Sequence, residues 1–171
     1  MSKFVWSALN RQQVGAFAEY FVKMELTMHG FEVYSTEVDD RGIDFIARLN
    51  GSVFIEIQVK SLRKSGYVFM EKDKFKLKDH AYLALVLLNE GKEPELFLIP
   101  SAAWKTTDGV FVNRDYMGKK SKPEWGVNVS KKNMGRLSEY IFDKAVTEMQ
   151  ESYPTASKDS TNRPVKIGSI P

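Results

Sequence analysis

Cysteine is absent from the 171-residue sequence, and histidine occurs only twice. The chain therefore has no disulfide and no thiolate metal site, and a zinc site built on His29 and His80 is not expected. No apolar run reaches the length of a transmembrane helix, since the most apolar window, YLALVLL, has strand length. The opening residues, MSKFVWSALNRQQ, lack the apolar segment and cleavage pattern of a signal peptide. These absences predict a cytoplasmic protein that does not enter a membrane.

Basic residues are concentrated in two segments, although the formal net charge is only +3. Residues 1–59 carry five Lys or Arg against eight Asp or Glu. Residues 60–78 carry seven basic against two acidic residues, and residues 114–136 repeat this excess. Such an uneven distribution predicts a polyanion as partner, and a solvated lysine-rich surface is the alternative.

Hydrophobic periodicity predicts one helix near each end of the chain. Residues 9–29 carry an apolar stripe at helical spacing, and Gly30 is a natural stop signal. Residues 130–150 predict a second long helix with Ser130 as its N-cap. The stripe of the first helix consists of Val14, Phe17, Ala18, Phe21 and Met28.

Apolar runs of strand length lie between the two predicted helices, in the order FEVYSTEV, IDFIARL, VFIEIQVK, GYVFM, YLALVLL and ELFLIP. Asn50-Gly51 joins the second and third runs and is typical of a type I′ hairpin. The length suits a single domain, which we assign to residues 1–150. Residues 151–171 are rich in Pro, Ser and Thr and predict a flexible tail. The expected class is α/β or α+β, with a central mixed sheet flanked by an N-terminal and a C-terminal helix.

Polar residues interrupt the third predicted strand, where a buried strand would be apolar. In FIEIQVKS, Glu56, Gln58 and Lys60 occupy every second position and therefore share one face of the strand. Asp44 lies on the preceding strand, and pairing through the hairpin turn brings it opposite residues 57–58. The sequence therefore predicts that a carboxylate, an amide and an ammonium group meet at one end of the sheet.

Such a cluster suits Mg²⁺ and the hydrolysis of a phosphodiester. Magnesium takes oxygen ligands at ~2.1 Å in octahedral geometry and keeps several waters. Asp44 and Glu56 offer carboxylates, Gln58 offers an amide oxygen, and Val59 offers its backbone carbonyl. Lys60 would hold the attacking water or stabilise the phosphate charge. Taken singly, Asp44 has an ordinary interpretation as a turn residue, Gln58 as a satisfied amide, and Lys60 as a solvated lysine.

The segments GID and IEIQVKS together resemble the core of the PD-(D/E)xK nuclease superfamily. That core has an aspartate on one strand and an acidic residue two positions before a lysine on the next. Here Gln58 replaces the acidic residue, which resembles a Gln-x-Lys variant seen in some homing endonucleases and in methylated-DNA restriction endonucleases. Ile43 stands where the superfamily usually has proline. Glu56 shares the face of Gln58, so either residue remains a candidate ligand.

The first predicted helix carries a second point of resemblance. GAFAEYF contains Gly15 and then Glu19, and HGFEVY follows. This arrangement resembles the first-motif helix of the superfamily, which often carries a glutamate. The resemblance implies that Glu19 faces the sheet near Asp44, and an exposed helix glutamate is the alternative. The resemblance covers residues 12–63.

What the resemblance implies is a restriction-endonuclease-like fold and an Mg²⁺-dependent endonuclease that acts on DNA, with Mn²⁺ able to replace Mg²⁺. Asp44, Gln58, the Val59 carbonyl and either Glu19 or Glu56 would hold the metal, and Lys60 would position the water. Because one chain offers one site, a double-strand cut implies a homodimer or a higher homo-oligomer. A nucleic-acid-binding module that keeps the fold without cleaving is the alternative.

Overall fold

Eight strands and three α-helices make up residues 3–35 and 42–154, the part of the chain that the computed structural model describes. Short 3₁₀ turns connect some of them. The helices are α1 (Arg11–Met28), α2 (Met134–Leu137) and α3 (Phe142–Ser152). The strands are β1 (Glu32–Ser35), β2 (Phe45–Leu49), β3 (Val53–Arg63), β4 (Gly66–Glu71), β5 (Ala81–Leu88), β6 (Glu95–Pro100), β7 (Phe111–Arg114) and β8 (Glu124–Val129).

The strands form two sheets, whereas the sequence predicted only a single central one. The larger sheet has the order β1-β2-β3-β5-β6 and is mixed, because β3 and β5 run parallel while its other pairs are antiparallel. The smaller sheet has the order β4-β8-β7 and is antiparallel. The chain passes from the larger to the smaller sheet between β3 and β4, at a turn where Lys64 has a φ of 67°.

One face of the larger sheet is covered by α1 and α3. The helix α1 begins at a capping box, in which the Asn10 side chain accepts from the Gln13 N–H and the Gln13 side chain accepts from the Asn10 N–H. It ends before Gly30, whose φ of 83° suits glycine. Its buried side chains pack on the odd-numbered residues of β3, among them Ile57. Met28, placed on the predicted stripe, is instead 73% exposed.

The other face of the larger sheet packs against the smaller sheet. Buried side chains of β5 and β6 meet side chains of β4, β7 and β8 in a second apolar cluster that includes Leu83, Leu85, Phe97, Trp104 and Phe111. Each such side chain contributes about 1.5–3 kcal/mol when fully buried. The polar residues of β3 border this cluster, because the parallel register places Gln58 beside Leu83 and Lys60 beside Leu85.

The hairpin between β2 and β3 determines where the polar face becomes accessible. Asn50 and Gly51 have φ angles of 51° and 71°, as a type I′ turn requires. The register pairs Phe45, the first residue of β2, with Ile57, while β3 continues beyond this pair to Arg63. Beyond Ile57, the strand β3 therefore has β5 on one side and no continuation of β2 on the other.

The single long helix predicted for residues 130–150 is wrong. The backbone becomes extended at Ile141, with φ −53° and ψ 137°, and Ile141 forms an isolated β-bridge with Phe97. Leu137 before the break packs into the apolar cluster between the sheets, whereas Phe142 after it packs beneath α1 on the opposite face. One straight helix cannot reach both faces of a sheet, so the helix is interrupted. Ser130 makes no capping hydrogen bond.

The C-terminal helix α3 extends to Ser152, slightly beyond the predicted domain end at residue 150. The remainder of the predicted tail, residues 155–171, lies outside the described residues. Among the residues that are described, no helix is long and apolar enough to cross a membrane.

Candidate functional site

Three of the six predicted site residues line one groove of about 550 Å³, which opens between the second half of β3 and the strand β4. The polar face of β3 forms one wall, and the loop that leads into β2 forms one end. Two basic residues from other elements, Arg11 of α1 and Lys74 after β4, also reach it. The lining includes Arg11, Asp44, Gln58, Lys60, Phe69 and Lys74.

The carboxylate of Asp44 lies at the point where pairing between β2 and β3 ends. Its backbone N–H donates to the Ile57 carbonyl at 2.9 Å, and its Oδ2 accepts from the Val59 N–H at 2.5 Å. The side chain thus takes the hydrogen bond that a further residue of β2 would have made. The predicted position opposite residues 57–58 is confirmed, and the carboxylate is held against β3 at the end of the groove.

The loop before Asp44 is shaped by Gly42, whose φ is 72°. A Cβ atom added there would lie 2.8 Å from Cβ of Lys74 and 3.4 Å from Nε2 of Gln58. Any larger residue would therefore have to displace Lys74, in addition to adopting a backbone conformation that suits glycine. The glycine allows the loop to approach Gln58 closely and to deliver Asp44 into the groove.

The Gln58 side chain is almost completely buried, with only 8% of its surface exposed. Its Oε1 atom is buried and has no hydrogen-bond partner within residues 3–35 and 42–154. A buried acceptor without a partner costs about 1–3 kcal/mol of folding free energy. An amide oxygen is also a good ligand for a hard cation. The structure therefore keeps an unpartnered buried oxygen, at a cost in stability, on a residue that lines the same groove as Asp44.

The backbone carbonyl of Val59 points toward the same side of β3. Even-numbered residues of this strand bond toward β5, as shown by the Glu56 N–H, which donates to the His80 carbonyl at 2.8 Å. Odd-numbered residues bond toward β2, and the Val59 N–H donates to Asp44. Because the N–H and C=O of one residue point the same way across a ladder, the Val59 carbonyl faces the side on which β2 has ended.

Lys60 follows Gln58 on the same face of β3 and is half-buried in the groove. In the described part of the chain its ammonium group makes no hydrogen bond and no ion pair. The stem lies beside Leu85, which leaves the charge at the end to face the groove. A partly buried cation without a protein partner is suited to an anion that enters from solvent.

Glu56, the alternative ligand, is engaged elsewhere. The Lys78 ammonium lies 2.9 and 2.8 Å from its two carboxylate oxygens, and Nε2 of His80 lies 3.4 Å away. Glu56 is absent from the lining of the groove that holds Asp44. The structure thus brings Gln58 together with Asp44 and leaves Glu56 in an ion pair, which favours Gln58 as the ligand.

Glu19 lies half-buried on the flank of α1 that faces the end of β2. Residues spaced by four share one flank of a helix, and here they are Arg11, Gly15, Glu19 and Lys23. Arg11 lines the groove, while the Lys23 ammonium lies 5.3 Å from the ring centre of Phe45, the neighbour of Asp44. Glu19 lies between these two points on α1.

The available oxygen ligands suit Mg²⁺, an ion that needs only a few ligands from the protein. Within residues 3–35 and 42–154, no three His, Cys, Asp or Glu side chains are close enough together to hold a metal ion. Magnesium is usually held by one or two carboxylates together with substrate phosphate and retained waters. The Asp44 carboxylate and the unpartnered Gln58 oxygen satisfy that requirement, so the residues present fit the ion predicted from the sequence.

The lysines of the basic segment 60–78 have different environments. Lys72 pairs with Asp115 and lies over the Trp125 ring at 4.2 Å, and Lys78 pairs with Glu56. Lys74 and Lys76 are exposed and make no ion pair within the described residues. Only part of the segment that the sequence marked as basic is therefore available to a polyanion.

Two aromatic residues of β4, Tyr67 and Phe69, also line the groove, although no motif in the sequence indicated them. Tyr67 and Phe69 alternate with the buried Val68 and Met70, so strand periodicity in GYVFM was the available signal. The Tyr67 hydroxyl donates to the buried Glu124 carboxylate at 2.6 Å. Burial, and then this carboxylate, raise the pKa of Tyr67, which keeps the hydroxyl protonated as a donor.

Comparison with known proteins identifies the fold through solved structures. No protein-family model matches the chain, and no curated protein matches it either. The structure of a bacterial homing endonuclease, I-Ssp6803I, is similar over 84% of this chain and 93% of that one, with a TM-score of 0.50 and 14% sequence identity. The chain has a restriction-endonuclease-like fold.

A second solved structure with some similarity is the Holliday junction resolvase Hjc from Archaeoglobus fulgidus, an archaeal hyperthermophile. It shares 16% sequence identity, covers 64% of this chain and 86% of its own, and has a TM-score of 0.38.

The predicted fold class is confirmed, with a mixed five-stranded sheet flanked by α1 and α3. In this restriction-endonuclease-like fold, the groove beside β3 lies at the end of the hairpin that carries Asp44.

Proposed function

We propose that this protein is a metal-dependent nuclease that hydrolyses phosphodiester bonds in DNA. The observation that carries the proposal is the buried Oε1 atom of Gln58, which has no partner in the described structure and lies in one groove with Asp44 and Lys60. The similarity of the fold to that of a homing endonuclease supports the same class of activity.

We assign the metal site to the Asp44 carboxylate, the Gln58 amide oxygen and the Val59 carbonyl. Glu19 on α1 adds negative charge from the facing flank, and the ion pair with Lys78 removes Glu56 from this role. A bound Mg²⁺, or Mn²⁺ in its place, would act as a Lewis acid toward a phosphate oxygen. The amide ligand keeps the site less negative than a second carboxylate would.

Lys60 is assigned the role of positioning the attacking water and stabilising the charge that develops on phosphate. Its ammonium group carries three donors and no acceptor, so it can hold a water by that water's oxygen while facing the phosphate. Because no acidic side chain of the described chain neutralises it, the full positive charge is available to the reacting groups.

Exposed basic residues around the groove are assigned to the DNA backbone. Arg11 and Lys74 line the groove, and Lys76 follows two residues later. Lysine and arginine contacts to phosphates provide affinity that is independent of sequence and falls with added salt. The presence of Arg11 and Lys74 in the lining supports contacts to the DNA backbone near Lys60.

Two copies of the chain are expected to act together on a duplex. One chain offers one site, and one site cuts one strand, so a double-strand cut requires a second site related by two-fold symmetry. Light scattering with and without DNA measures this directly. A protein that remains monomeric with DNA would act by nicking or on single strands.

The decisive experiment is cleavage of supercoiled plasmid by the purified protein with Mg²⁺ and with EDTA. Wild type should convert the plasmid to nicked or linear product only with the metal. Lys60→Ala should lose this activity, whereas Lys131→Ala, a control at an exposed lysine away from the groove, should retain it. Cleavage by Lys60→Ala at the wild-type rate would contradict the assigned role of Lys60.

A non-cleaving DNA-binding module remains the second candidate, and one observation favours it. Within residues 3–35 and 42–154, Asp44 and Glu71 are the two carboxylates that line the groove with Gln58 and Lys60. If wild type binds DNA but cuts neither DNA nor RNA with Mg²⁺ or Mn²⁺, this second candidate replaces the nuclease.

A further inference from the structure

An exposed aromatic ring stands in the groove beside the proposed catalytic residues. Phe69 of β4 is 48% exposed, although leaving a phenylalanine ring in contact with water is unfavourable in free energy relative to burying it. It lies directly opposite Gly126 on β8, where the Tyr67 ring occupies the space that a side chain would fill. Phe69 also belongs to the lining of the groove that contains Lys60.

The neighbouring Tyr67 holds this ring in place. The two ring centres lie 6.4 Å apart, and the ring planes differ by 21°, so the rings stack with an offset. Tyr67 itself lies across Gly126, since a Cβ atom added there would be 1.9 Å from the tyrosine hydroxyl oxygen. Its hydroxyl donates to Glu124.

A cation also fixes the tyrosine. The guanidinium carbon of Arg114 lies 4.5 Å from the Tyr67 ring centre, and Arg114 pairs with Glu124 at 3.4 Å. These contacts leave Tyr67 little freedom to rotate. The pair of rings is thus a rigid apolar surface whose outer member, Phe69, remains about half exposed in a groove that is also lined by Lys60 and Lys74.

We propose that Phe69 is a stacking site for an unpaired nucleobase, which directs the protein to DNA that has an unpaired base next to the phosphate at Lys60. This inference rests on the proposed function. Every base presents a flat π-surface that stacks on an aromatic ring, so such a site tolerates any sequence. In an intact duplex both faces of a base are covered by its neighbours, so a base reaches Phe69 only after it leaves the stack.

The energetic consequence is a preference among DNA structures. Removing a base from a duplex has a cost that is smallest where the base is already mismatched, bulged or single-stranded. Stacking on an aromatic side chain returns a comparable amount. We therefore expect roughly tenfold tighter binding to a duplex with one bulged base than to the matched intact duplex.

The chain contains a matched control for this ring. Phe54 on β3 is 51% exposed, has Tyr34 beside it at 6.5 Å between ring centres, and lies under the guanidinium of Arg48. Like Phe69 it is about half exposed and has a tyrosine ring beside it, but it is absent from the lining of the groove. An effect of general hydrophobic exposure would appear at both positions, and an effect of base stacking only at Phe69.

The experiment compares two duplexes that differ in one feature, a single bulged 2-aminopurine in one and a paired 2-aminopurine in the other. Fluorescence titration in EDTA keeps both substrates intact. Wild type should bind the bulged duplex more tightly and quench its fluorophore. Phe69→Leu should lose the preference and the quenching, Phe69→Tyr should restore both, and Phe54→Leu should behave as wild type.

The outcomes separate this inference from the proposed function. Equal binding of both duplexes by wild type, or an unchanged preference in Phe69→Leu, would overturn the stacking site while plasmid cleavage still supports the nuclease. Binding of neither duplex, together with no cleavage, would overturn both. Melting curves of each variant establish that the fold is kept, which is expected because Phe69 is exposed.

Discussion

Both halves of β3 carry polar side chains on the same face, but their surroundings differ. Residues 53–57 have β2 on one side and β5 on the other for part of their length. Residues 58–63 pair with β5 alone. In the first half Glu56 has both carboxylate oxygens on Lys78, while in the second half Gln58 has a buried oxygen without a partner in the described structure.

The difference separates structural from functional polar residues on one face of one strand. A buried or half-buried polar group that has its partners contributes to folding, as Glu56 does. A group that lacks a partner reduces stability and is retained where it serves another purpose. By this criterion we propose that Gln58 and Lys60 belong to a functional site and that Glu56, only two residues earlier, belongs to the scaffold.

The largest expected effect distinguishes two lysines, one near each half of the strand. Lys60→Ala should lower the single-turnover cleavage rate about 10²- to 10³-fold, because it removes charge from the reacting phosphate. Lys78→Ala should leave that rate within a few-fold, because Lys78 only neutralises Glu56. The measurement is cleavage of plasmid at saturating protein. An equal loss of cleavage rate in Lys60→Ala and Lys78→Ala would contradict the proposed difference between the two halves of β3.

A metal-binding effect should follow the same division. Mg²⁺ or Mn²⁺ at about 100 times its dissociation constant should add roughly 2.7 kcal/mol to the free energy of unfolding. Asp44→Asn should abolish most of this gain while keeping an acceptor for the Val59 N–H. Glu56→Gln should keep the gain. Thermal melting with and without Mn²⁺ tests both, and an unchanged gain in Asp44→Asn would refute the assigned site.

A smaller effect concerns the cost of the unused oxygen. Gln58→Met keeps the shape and removes the buried acceptor, so it should raise the free energy of unfolding by about 1 kcal/mol while lowering cleavage. Glu56→Met should bring no such gain, since it leaves Lys78 without its partner. Urea unfolding measures both variants. A loss of stability in Gln58→Met would show that the amide is satisfied in the folded protein.

The smallest effect separates the lysines that follow β4. The double variant Lys74→Ala with Lys76→Ala should weaken DNA binding for all sequences and reduce the slope of log K against log salt by about two. The matched pair Lys72→Ala with Lys78→Ala should change the slope much less, because both lysines already have carboxylate partners. Titrations at several salt concentrations decide between these outcomes.

Much of the site followed from local patterns in the sequence. The Asn50-Gly51 turn determines the hairpin register, and that register brings Asp44 to Gln58. Strand alternation then places Gln58 and Lys60 on one face. The role of Glu56 did not follow, because its partner Lys78 comes from a separate segment of the chain. The stacked arrangement of Tyr67 and Phe69 did not follow either, because Gly126, which leaves room for Tyr67, lies on the separate strand β8.

Sequence alone determined the elements whose signals are local: α1 with its capping box and glycine stop, the type I′ hairpin, and the alternating face of β3. Periodicity and turn chemistry act within a few residues, so these features do not depend on the rest of the chain. Only the tertiary structure decided which polar groups found partners. It interrupted the C-terminal helix at Ile141 because Leu137 and Phe142 pack on opposite faces of the sheet. It also left Gln58 and Lys60 beyond the end of β2, because no residue on either side of them in the chain specifies where the neighbouring strand ends.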